Sequence, residues 1–146
     1  MRTGPWREDL TLMDDTDYFT RVVLLYGGII DCPGSLSYYR KGHASVSGLK
    51  TGKAWHSYFK GLESCTERFL EAERSDRTRR VASFLWQRFA HASYPYNRSL
   101  AEEAVRRAKA LHPDRLQMPG GWRYSVLSGL LGWRLTRLLQ VLSGRK

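Results

Sequence analysis

Acidic side chains are scarce in this chain. There are 14 Asp and Glu against 24 Lys and Arg, a formal net charge of +10 over 146 residues. Such a balance invites anionic partners: nucleic acid, phosphorylated ligands or anionic lipid. Solubility is the plainer account of scattered Lys and Arg. Cysteine is nearly absent. Cys32 and Cys65 fit no metal-ligand spacing and make no disulfide framework, so reduced thiols are expected. No stretch approaches the roughly 18 uninterrupted apolar residues of a spanning helix, which argues against a transmembrane segment. The polar, acidic start has no apolar run of the secretory type, so a cytoplasmic location is expected. Internal repeats and low-complexity segments are absent. So are helix-turn-helix, zinc and RNP-type signatures, which removes the usual marks of nucleic-acid binding.

What is present is enough for a core. Hydrophobic residues make up 42% of the chain, which separates it from disordered compositions. Five of its many aromatics are tryptophans: Trp6, Trp55, Trp86, Trp122 and Trp133. Charge is unevenly spread. Residues 1–25 hold three basic and five acidic side chains, a balance of −2, which leaves +12 for the other 121 residues.

Along the chain, Gly4-Pro5 marks a turn in an N-terminal loop. Asp14 to Tyr26 has a helical pattern, with Asp14, Asp15 and Asp17 in the first turn, where the helix dipole favours carboxylates. Gly27-Gly28 stops it. Ile29–Cys32 and Ser35–Arg40 read as short β-like runs around a Pro33-Gly34 turn, as edge strands of a sheet. Thr51–Arg74 is a helix with Trp55, Phe59, Leu62, Cys65 and Phe69 along one stripe. A helix over Arg79–Ser93 turns Val81, Leu85 and Phe89 inward. Ser99 with Glu102 has the form of a capping box opening a helix that closes at His112-Pro113. Trp122–Ser143 is read as a single last helix.

The densest chemical signal is Asp14-Asp15-Thr16-Asp17-Tyr18-Phe19. Carboxylates clustered at a helix start suit two tasks: holding a divalent cation through oxygen ligands, or taking a proton from a hydroxyl nucleophile. Dipole compensation alone is the structural alternative. Asp15-x-Asp17 also has the form of the D-x-D element that binds a metal and a nucleotide diphosphate. That element ordinarily ends an apolar strand, and Asp9–Met13 is too short and too mixed to be one.

Two segments carry a family resemblance. Gly4-Pro5-Trp6-Arg7-Glu8-Asp9-Leu10-Thr11-Leu12, followed by the acidic run and Arg21-Val22, resembles the acceptor side of family 2 glycosyltransferases of the GT-A fold. There a G-x-[WF]-[DN]-E-x-L segment precedes an acidic pair and an aromatic helix. Pro33-Gly34-Ser35-Leu36-Ser37-Tyr38-Tyr39-Arg40-Lys41-Gly42 is similar to the P-x-A-x-x-Y-Y-R-x-G segment of a bacterial branch of that family. The sequence departs from the pattern at Arg7-Glu8-Asp9. The Q-x-x-R-W signature of processive members is absent, which favours transfer of single sugars.

The resemblance implies that Asp15 is the general base and Asp14 its acidic neighbour. It places Trp6, Glu8, Asp17, Tyr38, Tyr39 and Arg40 on the substrate-binding surface, with the tyrosines against a sugar face and Arg40 near a phosphate. His43 is a weak metal candidate. The donor is a nucleotide sugar, the acceptor a saccharide or lipid-linked hydroxyl, and Mg or Mn the cofactor of the complete enzyme. No nucleotide-binding half is recognisable, so the chain reads as a truncated or split acceptor portion.

The expected fold is therefore mainly α with a short β element, an α+β piece of a GT-A enzyme, with four to five helices and one or two strands. Residues 1–50 form the acceptor-side remnant and 51–146 a helical region. Its last helix carries an apolar stripe (Leu127, Leu131, Leu138 and neighbours) flanked by Arg123, Arg134, Arg137, Arg145 and Lys146. Such a helix either packs on its neighbours or lies on the inner face of the cell membrane. A non-catalytic basic module binding nucleic acid or an anionic surface is the alternative function.

Overall fold

The computed structural model describes residues 3–26, 28–38, 51–113 and 122–144, with the side chain of Arg123 left aside. Their regular structure is six helices: α1 (Asp14–Tyr26), α2 (Gly52–Ala72), α3 (Asp76–Ser93), α4 (Arg98–Leu111), α5 (Trp122–Leu131) and α6 (Trp133–Leu142). They fall into two compact units, residues 1–72 and 73–146. Helix α2 thus belongs with the N-terminal residues.

The expected α+β class is corrected, because no strand forms among the described residues. Residues 28–38 run as irregular chain. Only the turn is as the sequence indicates: Ser35 N donates to Cys32 O at 3.2 Å, and Gly34 takes φ +88° behind Pro33. Ile30 is 89% exposed and Tyr38 92%. Two short runs with no further strand to pair with and no face to bury are marginal as a sheet.

In the first unit α1 lies on α2. The α2 stripe buries Trp55, Phe59, Leu62 and Cys65, largely as its periodicity implies. Burial pushes the Cys65 thiol up, and Thr20 Oγ1 reaches its Sγ at 3.6 Å.

In the second unit α3 packs on α4. Ser75 caps α3 by accepting from Thr78 N at 3.1 Å, so the helix begins three residues earlier than its apolar pattern suggests. The inward stripe is Ala82, Trp86 and Phe89; Val81 is exposed. Against it lie Ala101, Ala104, Val105 and Ala108, small residues that allow close approach. Ser83 Oγ donates to the Ala108 carbonyl at 2.8 Å. The cap of α4 is Asn97, not Ser99: its Oδ1 accepts from Leu100 N at 3.1 Å. Asn caps as well as Ser, and Asn97 N is already turned back onto the Ser93 carbonyl at 2.8 Å. Glu102, freed from a capping role, binds Arg134 through two bonds of 2.8 and 2.6 Å.

The expected single last helix is two. Gly132, at φ +77°, breaks it and becomes the cap of α6, its carbonyl accepting from Thr136 N and Oγ1. Tyr124 of α5 stands edge-on to His91 of α3 at 5.3 Å. His91 is buried, and its Nε2 meets no hydrogen-bond partner among the described residues. Burial, and then the Arg137 charge, lower its pKa from 6.5 to about 4. The folded state therefore resists protonation that the unfolded chain accepts. Stability of this unit is complete above about pH 6.5 and falls between there and about pH 4. The expected loss is about 2 kcal/mol by pH 5. Urea unfolding of wild type and His91→Gln between pH 4 and 8 checks this; the slope should flatten in the variant.

Candidate functional site

The acidic run opens α1, and the structure gives its three aspartates three different surroundings. Asp17 is fully buried. Its Oδ2 accepts from Arg21 Nε at 3.1 Å, one helical turn on, and its Oδ1 from Ser64 Oγ of α2 at 2.6 Å. Arg7 Nη1 stands 3.9 Å from the same Oδ1. Arg21 also donates to the Thr3 carbonyl and, at 3.0 Å, to the Pro5 carbonyl, so one buried ion pair fastens the N-terminal loop to both helices.

Asp14 is half-buried and accepts from the indole Nε1 of Trp6 at 3.2 Å. Trp6 stacks on Tyr18 at 4.9 Å, and Arg21 covers that ring at 5.3 Å. Asp15 is exposed. Its Oδ1 accepts only from its own neighbour, Thr16 N at 2.6 Å and Thr16 Oγ1 at 3.2 Å. Among the described residues no cation lies within ion-pair distance of it. Asp15 stands at the head of an apolar groove of about 430 Å³ whose walls include Phe19, Val23, Leu24 and Phe69.

The acidic turn is held by the α2 face that carries Ser57, Gly61 and Ser64, spaced i, i+4, i+7. Ser57 Oγ accepts from Thr11 N at 2.7 Å and Leu12 N at 3.0 Å and lies 3.1 Å from the Leu12 carbonyl, to which it donates. Met13 takes φ +67°, a left-handed conformation worth about 1 kcal/mol of strain in a residue with a Cβ. Its carbonyl accepts from Asp17 N at 2.8 Å. Gly61 lies beneath: a Cβ built there would come within 2.5 Å of the Met13 Cβ. The strained residue is thus clamped between Ser57 and Gly61, directly before Asp14 and Asp15.

Of the remaining site expectations, Glu8 is exposed, and Arg7 beside it forms a bidentate pair with Asp9 at 3.0 and 2.7 Å. The Arg7 guanidinium holds the Asp9 carboxyl below its ordinary value. Tyr38 is exposed, with no neighbour to form a sugar platform among the described residues. Tyr39, Arg40 and His43 lie outside the described residues. The carboxylates do not converge: no group of three His, Cys, Asp or Glu side chains among the described residues has the arrangement of a metal site. Asp17 is committed to Arg21 and Ser64, and Asp14 to Trp6, so these acids do not fit a shared Mg or Mn.

Sequence reasoning did not single out Ser57, Gly61, Ser64 or Met13. The available signal was two serines and a glycine recurring at helical spacing inside an apolar stripe. No family model matches the chain, and no curated protein or solved structure proves similar to it.

Proposed function

We propose that this chain carries the acceptor side of a family 2-type glycosyltransferase, with Asp15 as general base. One observation carries the reading: of three clustered aspartates, Asp15 alone is exposed, free of a cation and set at a groove, while the other two are held by protein partners. In the proposed step a carboxylate oxygen of Asp15 takes the proton of an acceptor hydroxyl. The hydroxyl oxygen forms its bond to the anomeric carbon as the bond to the nucleotide diphosphate breaks on the opposite face, and the diphosphate leaves with its electron pair. The Ser57–Gly61 clamp fixes where Asp15 stands, which matters because a proton must pass over hydrogen-bond distance. Mg or Mn is implied for the donor by the resemblance alone; this chain's acids act here as base and scaffold.

Replacing Asp15 by Asn in the native gene tests the reading. The glycosylated envelope product, measured by mass spectrometry, is expected to fall at least about a hundredfold with no change in the amount of the protein. Product at the wild-type level overturns Asp15 as base.

A further inference from the structure

The second unit is built inside out along its last two helices. Helix α6 buries Thr136 against the rest of the unit, and its arginines face the same way: Arg134 binds Glu102, and Arg137 Nε donates to the His91 carbonyl at 3.1 Å. Helix α5 docks through Tyr124, whose hydroxyl donates to the Trp133 carbonyl at 3.2 Å. The polar and aromatic groups hold the helices down, and the apolar rows stay in solvent. Trp122, Val126 and Leu130 recur at i, i+4, i+8 on α5, and Leu135, Leu139 and Leu142 at i, i+4, i+7 on α6, all exposed. A water-facing helix ordinarily has the reverse pattern, and a run of exposed large apolar side chains marks a surface that meets something.

Charge selects what it meets. After Asp114 the chain holds Arg115, Arg123, Arg134, Arg137, Arg145 and Lys146 and no acid at all. A second copy of the same face would bring these like charges together. An anionic bilayer complements both halves of the pattern, cationic and apolar. Neither helix is long or apolar enough to cross a membrane, and each has only ten residues. Helices of this kind lie in the interface plane.

We infer that α5 and α6 form a docking surface for anionic lipid headgroups, with the Trp122 and Leu rows entering the acyl boundary. This inference is independent of the transferase reading. Co-sedimentation of the full chain with phosphatidylcholine vesicles, with and without about one-third phosphatidylglycerol, tests it. Binding should be roughly tenfold stronger to the anionic vesicles. It should fall about tenfold in Leu130→Gln/Leu142→Gln, whose sites are 79% and 82% exposed, so that far-UV circular dichroism stays unchanged. Arg145→Glu/Lys146→Glu, which alters charge alone, should weaken anionic binding by a similar factor. Trp emission should shift to the blue on binding, and the shift should shrink in Trp122→Phe. Vesicle binding that ignores both double substitutions overturns the inference. So does an absence of vesicle binding joined to a concentration-dependent dimer that the leucine substitutions abolish.

Discussion

Replacing Asp17 by Ala is expected to destabilise the first unit by about 3–5 kcal/mol, the usual consequence of removing one partner of a buried ion pair. Asp17 is fully buried, and the Arg21 side chain it neutralises is only 9% exposed. Without the carboxylate, the guanidinium keeps its bonds to the Thr3 and Pro5 carbonyls but loses its counter-charge, and the Ser64 hydroxyl loses its acceptor. Burial of an uncompensated cation dominates the loss, because the exposed ion pairs of this protein, such as Arg80 with Asp76, are each worth a fraction as much. Thermal and urea unfolding followed by circular dichroism give the measurement; a loss under 1 kcal/mol shows that the pair is not what fastens the loop. The contrast with Asp15 is the sharper part of the prediction. Asp15→Asn should cost activity and leave stability alone, whereas Asp17→Ala should cost stability first.

The second large effect is at Gly61, where two rules of thumb oppose each other. Glycine inside a helix is destabilising by about 0.5–1 kcal/mol relative to alanine, so Gly61→Ala on α2 would stabilise by propensity. The added Cβ, however, meets the Met13 Cβ at 2.5 Å, and both atoms are fixed to backbone rather than to a flexible chain end. Overpacking of this kind costs up to about 3 kcal/mol, so sterics win and Gly61→Ala is expected to destabilise by about 2 kcal/mol. Met13→Gly removes the clashing atom and suits the φ of +67°. The next nearest atom to the new Cβ is then the Met13 carbonyl oxygen at 3.5 Å, an ordinary contact. In the Met13→Gly background the same Gly61→Ala change should therefore turn neutral or stabilising. A double-mutant cycle reads this as a coupling of about 2–3 kcal/mol, and additive effects would show that the two residues do not touch as described.

Local chemistry made some features of this chain legible. Asp14 through Tyr26 is a helix with the limits its acidic start and the following glycines imply, and Pro33-Gly34 makes the turn that its residue types demand. The α2 stripe around Phe59, Leu62 and Cys65 follows from periodicity alone. These features depend on residues within a turn or two of one another. The i, i+4 pairing of Asp17 with Arg21 belongs with them, although its burial does not. Elsewhere local rules competed. Asn97 and Ser99 are both good caps, and the turn at Ser93 decided for Asn97. Val81 and Ala82 both suit an inward stripe by size, and the close approach of the α4 alanines selected Ala82.

By itself, then, the sequence determined where helices start and stop, the turn at Gly34 and the excess of positive charge, because each is settled by neighbours in the chain. Tertiary structure alone decided that residues 28–38 do not become strands, since a strand exists only with a partner. It decided that α6 turns its threonine and arginines inward and its leucines outward, since the direction of a face depends on what Glu102 and His91 offer it. And it separated three adjacent aspartates into one scaffold, one indole-bound neighbour and one open carboxylate. That division rests on Ser64, 47 residues away from Asp17, and no local pattern can carry information about a partner so distant.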